Sequence, residues 1–431
     1  MGDSVSVTID STMRLRCTGC GATLDERSPH AACPACGGLL DVVIDDARTR
    51  GAELRALFDA RLRDRNGAGA ESRSGVWRYR ELVIPGASER EIVSHPEGDT
   101  PLLERAALAA YAGVEWLRIK HEGHNPTGSF KDRGMTAAVT QARRVGARAV
   151  ACASTGNTSA SLASYAAHAG LPAFVMVPHG KVSMGKLAQT IAYGARVVQV
   201  AGDFDDCLRL TREASERLGV YLANSVNPFR VEGQKTIVLE MLQQLGWEAP
   251  DWIALPAGNL GNTAAFGKAL REAHALGLID RMPRILAVQA AGAAPFARGF
   301  AEGFATRHRV RAETRASAIR IGDPASWDRG VEAIRATNGV VLAVSDEEIL
   351  AAKRAIDRSG VGCEPASAAS VAGVRALVAR GTIQRSARVV AVLTGHLLKD
   401  PDAVLEGAEL EAAVPVEEVL AVLGEGLGAR D

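Results

Sequence analysis

Lys131 closes a polar loop, His124-Asn125-Pro126-Thr127-Gly128-Ser129-Phe130-Lys131-Asp132-Arg133-Gly134, at the point where a helical pattern begins. A solvated surface lysine needs no such setting. A lysine that forms a Schiff base does, because its amine must be held in place, screened from water and kept partly neutral. The chain has only eight lysines among its 50 basic residues, so one kept in this loop stands out.

A second chemistry is written at the N-terminus. Cys17-Thr18-Gly19-Cys20 and Cys33-Pro34-Ala35-Cys36 form two Cys-x-x-Cys knuckles twelve residues apart, followed by Gly21, Gly37 and Gly38. Four thiolates on two tight turns suit a tetrahedral zinc ion, and a site with four protein ligands is closed and therefore structural. The remaining cysteines, Cys152, Cys207 and Cys363, are scattered and make no disulfide framework.

These groups need a scaffold. Apolar runs consistent with buried strands are Trp116–Ile119, Ala149–Ala153, Ala173–Val177, Val197–Val200, Trp252–Leu255, Ile285–Val288 and Val389–Leu393. Helical periods lie between them at Phe130–Val145, Thr158–Ala169, Phe204–Leu218, Val231–Leu245 and Asn262–Ala275. Such alternation predicts an α/β fold, with parallel sheets flanked by helices in two lobes. The expected division is a zinc-ribbon-like head at 1–45, a helix and linker at 46–95, and a catalytic body at 96–431. The smaller lobe of that body is expected at about 135–235.

In open α/β folds ligands bind beyond the carboxyl ends of the strands. Those ends are polar and glycine-rich here: Ser154–Ser159, Pro256–Asn262 and Thr394-Gly395-His396. Gly258-Asn259-Leu260-Gly261-Asn262 opens a helix, where free N–H groups and the positive dipole end favour an anion such as phosphate. Asn224-Ser225-Val226-Asn227-Pro228-Phe229-Arg230 offers an amide, a hydroxyl and a guanidinium for a second phosphate or a carboxylate. Glu364, just before a Pro-led helix, reads either as a dipole partner or as a site residue.

Composition limits the alternatives. Lys+Arg and Asp+Glu balance at 50 each, which argues against nucleic acid or an anionic membrane as the main partner. No apolar run approaches the roughly 20 residues of a membrane helix. Met1-Gly2-Asp3-Ser4 lacks the basic and apolar regions of a signal peptide, so a cytoplasmic location is expected.

Together, Gly98-Asp99-Thr100-Pro101-Leu102, the Lys131 loop, Ser154–Ser159, Asn224–Gln234, Pro256–Asn262, Gly362–Ala369 and Leu393–Asp400 resemble the threonine synthase family. These are pyridoxal-phosphate (PLP) enzymes of fold type II, related to serine/threonine dehydratases and cysteine synthase. The resemblance spans about residues 95–400. It implies that Lys131 carries the internal aldimine, that Asn157 bonds the cofactor's 3′ oxygen, and that Thr394 faces the pyridine nitrogen. Gly258, Asn259, Leu260, Gly261 and Asn262 would hold the cofactor phosphate. Thr158, Asn224, Ser225, Arg230 and Asn259 would bind the phosphate of the substrate. The loop reads Asn-Leu-Gly where many relatives have Asn-Ala-Gly.

The implied reaction turns O-phospho-L-homoserine and water into L-threonine and phosphate, and the implied assembly is a homodimer. Rival readings are a cysteate synthase using phosphoserine and sulfite, and a dehydratase, which would have no use for the second anion set. A third takes the head as a nucleic-acid or protein-binding module. Against it, segment 1–46 has no Phe, Tyr or Trp, and only Arg14, Arg16 and Arg27 as basic residues.

Overall fold

A computed structural model describes residues 12–45, 51–180, 184–405 and 413–428. The stretch read for targeting signals (1–11) and the start of the expected linker (46–50) lie outside them. The chain divides into two units, 1–400 and 401–431. The second holds the helices Asp402–Leu405 and Val419–Gly428. All the candidate site residues belong to the first.

The head is a three-stranded antiparallel sheet of β1 (Thr12–Cys17), β2 (Thr23–Asp25) and β3 (Leu40–Asp45), in the order β2-β1-β3. Along β1, Met13, Leu15 and Cys17 are buried, the alternation of a sheet with one face covered.

Two further sheets build the body. Their strands are β4 (Leu102–Glu104), β5 (Trp116–His121), β6 (Val150–Ala153), β7 (Ala173–Pro178), β8 (Arg196–Val200), β9 (Tyr221–Leu222), β10 (Trp252–Pro256), β11 (Arg284–Ala290), β12 (Val340–Val344) and β13 (Arg388–Leu393). The larger sheet runs β12-β11-β10-β13-β5-β4, parallel except for the antiparallel edge pair β4–β5. The smaller runs β8-β7-β6-β9, parallel throughout. Strand β10 is buried along its whole length because helices cover both faces of its sheet, and so its sequence is an unbroken apolar run. The α/β class with helix-flanked parallel sheets is therefore borne out.

The seven apolar runs all became strands. The apolar pattern missed β4, β9 and β12. β4 and β9 have three and two residues, too few to show a period. The five expected helices are present as Lys131–Arg144, Asn157–Ala169, Phe204–Leu218, Pro228–Gln244 and Gly261–Ala275. The Phe204 helix opens on a capping box between Asp203 and Asp206.

The stretch expected as a linker is largely internal. After the helix Ala52–Arg63, the side chains of Trp77, Tyr79, Val83 and Ile84 are fully buried. Trp77 Nε1 donates to Thr136 Oγ1 at 2.8 Å, and the Tyr79 hydroxyl donates to Gln243 Oε1 at 2.5 Å. Val76-Trp77-Arg78-Tyr79 carries too much aromatic surface to stay in water, and it fills the core beside the helices Lys131–Arg144 and Pro228–Gln244. Among the described residues no helix is long and apolar enough to cross a membrane.

Candidate active site

Lys131 is the first residue of its helix, and the loop before it is tied to the end of β13. Phe130 N donates to Thr394 O at 3.0 Å, and His396 N donates to Gly128 O at 2.8 Å. Ser129 and Gly395 form a β-bridge between these contacts. The neighbouring Asp132 is fully buried and accepts from Thr127 N (2.7 Å), the Thr127 hydroxyl (2.6 Å) and the Ser161 hydroxyl (2.6 Å). These bonds clamp the loop from inside, so the direction of the Lys131 side chain is set by rigid elements.

The Lys131 amine lies 4.0 Å from the centroid of the Phe130 ring. Part of the side chain stays open to solvent, yet enough protein surrounds the amine to push it down to about 7. Burial is the main cause, and the Arg230 guanidinium adds to it, while Glu364 opposes both. Near neutral pH this amine is divided between its neutral and charged forms, the condition for a nucleophile that also carries protons.

Asn157 starts its helix just beyond β6, and its Nδ2 donates to Glu364 Oε2 at 3.0 Å. Glu364 is 4% exposed and caps the helix Pro365–Ala379. Burial pushes its carboxyl up, against the pull of the Asn157 bond, Lys399 and Lys131. Thr394 Oγ1 lies 3.4 Å from Glu364 Oε1 and 3.0 Å from Ser367 Oγ. A Cβ on Gly395 would run into the Glu364 carboxylate, which accounts for the glycine there. The structure thus gathers Lys131, Asn157 and Thr394 around one buried carboxylate. The sequence left Glu364 open between two roles and gave Ser367 none. The available signal was an acidic side chain at the head of an Ala/Ser-rich helix too apolar to be exposed.

The segments expected to bind anions sit at the ends of β9 and β10. Leu260 adopts the left-handed conformation (φ 63°), so the chain turns sharply into the helix Gly261–Ala275. A left-handed residue ahead of a helix N-terminus lets successive N–H groups converge on an anion. Asn262 is 6% exposed and neither end of its amide has a partner; the buried Thr263 hydroxyl has none either. Buried polar atoms without partners are costly, and a phosphate at this helix start would satisfy them. Asn259 works mainly as a strut: its Oδ1 accepts from Ala325 N at 2.9 Å, and its Nδ2 donates to Ser225 Oγ at 3.3 Å.

Asn224 differs from the expectation of a free amide. Its Oδ1 accepts from Ala153 N, and its Nδ2 donates to Ala153 O, both at 3.0 Å. The side chain extends the sheet beyond β6 and so fixes the loop that carries Ser225. Thr158 lies beside Asn157 in the first turn of their helix. Arg230 is 2% exposed, Nη1 donates to Ala223 O at 3.1 Å, and Nε has no partner. Burial draws its guanidinium down to about 10, which leaves it charged at neutral pH. Among the described residues no carboxylate is paired with it. A buried cation in that state is costly until an anion answers it.

The four cysteines of the head form a separate cluster. Their sulfurs lie within 4.8 Å of one another, with Cys17–Cys36 at 3.5 Å and Cys20–Cys33 at 3.7 Å. A tetrahedral zinc with bonds of about 2.3 Å would hold sulfurs about 3.8 Å apart, so the donor set fits. Gly19 N and Cys20 N point at Cys17 Sγ (3.4 and 3.5 Å), as thiolates require. The head is anchored on the body: Arg144 pairs with Glu26 at 2.7 Å, and Lys268 reaches Asp41 at 3.0 Å and the Val42 carbonyl at 2.5 Å.

A family model for a pyridoxal-phosphate dependent enzyme matches residues 93–395. The threonine synthase of Methanocaldococcus jannaschii is 44% identical over 405 residues, covering 92% of this chain and 95% of that protein. That of Mycobacterium tuberculosis strain H37Rv is 51% identical over 351 residues, 81% of this chain and 95% of the relative. The crystal structure of threonine synthase from Escherichia coli shares the fold, with a TM-score of 0.71 over 94% of this chain and 93% of that one at 20% identity. The lysine loop, the phosphate-ready helix start and this agreement along the chain lead to one assignment: the chain belongs to the pyridoxal-phosphate dependent enzymes and, among them, to the threonine synthase family.

Proposed function

We propose that this chain converts O-phospho-L-homoserine and water into L-threonine and phosphate, with Lys131 as its catalytic base and acid. The observation that carries this reading is Arg230, a buried cation with no carboxylate paired to it among the described residues, whose charge is felt at the Lys131 amine. One anion site at Gly258–Asn262 serves the cofactor. A second, at Arg230 with Ser225, Thr158, Asn259 and the loop fixed by Asn224, serves the substrate's own phosphate.

Bound PLP would supply the electron sink that makes the hydrogen on the substrate's amino-bearing carbon, and those on the carbon beside it, acidic. Lys131 would hold it covalently, Asn157 would meet its 3′ oxygen, Thr394 would face its ring nitrogen, and the Gly258–Asn262 turn would hold its phosphate. Once the substrate's amino group has displaced it from the cofactor, the freed Lys131 Nζ would move protons at Cα, Cβ and Cγ in turn, releasing each before taking the next, which its near-neutral basicity permits. Arg230 holds the phosphate as it leaves Cγ and stabilises the growing negative charge. A proton returns to Cγ, water adds its hydroxyl at Cβ, and a proton returns to Cα. The departing phosphate, still on Arg230, helps to orient that water.

The test uses two substrate mixtures, O-phospho-L-homoserine alone and O-phospho-L-serine with sulfite, following phosphate release and the amino-acid product. Threonine from the first mixture is expected. Cysteate from the second, with no threonine from the first, would overturn the assignment. We further propose that Cys17, Cys20, Cys33 and Cys36 hold one structural zinc ion, and that the enzyme works as a cytoplasmic homodimer. One zinc per chain by elemental analysis and a dimer mass by light scattering are the expected results.

A further inference from the structure

Thr394 is placed by the foregoing reading against the pyridine nitrogen of the cofactor, and the inference here rests on that placement. A threonine hydroxyl is ambivalent there. It can donate to an unprotonated nitrogen or accept from a protonated one. What decides between the two is the direction of its own hydrogen, which its protein neighbours can fix.

The neighbour that matters is Ser367, in the first turn of the helix Pro365–Ala379 and fully buried. Its oxygen accepts from two backbone groups, Thr394 N at 2.9 Å and Gly395 N at 3.0 Å. A serine oxygen has two lone pairs and one hydrogen. Both lone pairs are thereby taken, and the remaining contact, 3.0 Å to Thr394 Oγ1, is left for the serine's own hydrogen. Ser367 donates and Thr394 accepts. The reverse would give Ser367 three donors for two lone pairs and leave its hydrogen without an acceptor in a buried place.

The hydrogen of Thr394 must then point elsewhere. Its acceptor within the protein is Glu364 Oε1 at 3.4 Å. That is long beside the roughly 2.7–2.8 Å usual for two oxygens, so a ring nitrogen at normal distance takes the hydrogen instead. We propose that Ser367 is a positioning residue that makes Thr394 a hydrogen-bond donor and so holds the cofactor's ring nitrogen unprotonated. An unprotonated ring is a weaker electron sink. It lets the chain eliminate and replace groups on the substrate without drawing the reaction toward transamination.

The test reads the nitrogen itself. Wild-type and Ser367→Ala holoenzymes are prepared with cofactor carrying 15N in the ring, and the 15N chemical shift is compared with free cofactor in its protonated and deprotonated forms. The wild type is expected at the deprotonated position, and Ser367→Ala shifted toward the protonated one. Identical shifts in the two proteins, or a protonated wild type, overturn the proposal. Ser367→Ala strips two backbone N–H groups of their acceptor and can fail to fold, so a second measurement uses the wild type alone. Neutron diffraction from crystals grown in D2O should show the Ser367 deuteron directed at Thr394 Oγ1 and the Thr394 deuteron directed away from Ser367. A deuteron running from Thr394 to Ser367 overturns the proposal. Failure of the cofactor assignment looks different, because the wild type would then take up no labelled cofactor, while the deuteron positions would still be readable.

Discussion

Two buried polar regions flank the Lys131 helix, and they are finished in opposite ways. Behind the loop, Arg133 meets Glu122 with Nε (2.7 Å) and Nη2 (2.8 Å), and meets Glu240 with Nη2 (2.7 Å). Lys120 meets Glu240 (2.5 Å), the Gln244 side chain (2.9 Å) and the Thr100 carbonyl (2.7 Å). Two cations face two carboxylates, all four essentially without exposure. Burial alone would raise the Glu240 carboxyl, but Arg133 and Lys120 overcome it and hold that carboxyl well below its usual range. On the other side, among the described residues Arg230 faces no carboxylate, and Asn262 and Thr263 keep unpartnered atoms. Similar desolvation is answered by the protein in the first region and, among the described residues, goes unanswered in the second. Completed charge networks hold shape, and incomplete ones bind.

That contrast predicts that changes on the open side abolish chemistry and leave the fold, while changes on the closed side do the reverse. The largest effect is expected for Lys131→Ala. Turnover should fall by more than about a thousandfold, as loss of both nucleophile and base requires, with no visible cofactor band and an unchanged melting temperature. Retention of the band with full turnover would remove Lys131 from the centre of the site. Next comes Arg133→Met, which takes from the buried Glu122 the cation paired with it. It should cost about 3–5 kcal/mol of stability in urea unfolding, the range for breaking a buried pair. A loss below about 1 kcal/mol would show that the network is not closed in solution.

Arg230→Met is the counter-experiment. It removes a buried cation that the protein does not neutralise, so the substrate-free fold should be as stable as the wild type or more so. The kcat/KM for the phosphorylated substrate should drop on the order of a hundredfold, the low end for truncating one partner of a buried charge pair. Inhibition by inorganic phosphate should weaken in step. A variant as destabilised as Arg133→Met would place Arg230 on the structural side and break the comparison.

The two regions were not equally legible. The Gly258–Asn262 turn follows an apolar run, and Lys131 and Arg230 stand in polar loops that open helical periods, where loop composition points to ligand chemistry. The closed network was invisible, because Lys120 and Glu122 share one segment while Arg133 and Glu240 come from two others, and only the tertiary fold shows that they meet. Glu364 and Ser367 were obscured in the same way. The contacts that give them meaning run to Asn157 and Thr394, more than twenty residues away in the chain. The buried stretch around Trp77 was misjudged for a related reason: its Gly- and Arg-rich approach reads as linker, while its burial depends on helices far along the chain. Sequence pattern reports what a segment buries and how its ends turn. It does not report which distant charge will answer a buried one.

The smallest predicted effect concerns how the open side acts on Lys131 before any ligand arrives. Burial first, then Arg230, hold the amine at about 7, against an ordinary value of 10.5. The unfolded chain therefore binds this proton more tightly than the folded one. Stability from this group rises with pH between about 7 and 10.5 and is level outside that window. The same displacement should appear in cofactor attachment, since only the neutral amine reacts. Between pH 6 and pH 8 the neutral fraction of such an amine grows about tenfold and then levels off, whereas an ordinary lysine continues to gain tenfold per unit. The measurement is the rate at which cofactor-free protein develops its visible band with added PLP, divided by the rate for a small lysine amide, which cancels the cofactor's own titration. In Arg230→Met the levelling point should move to higher pH, because the second cause of the shift is gone while burial remains. A profile identical to wild type would mean that Arg230 does not act on Lys131. The two halves of the open site would then be electrostatically independent, and the comparison would narrow to geometry alone.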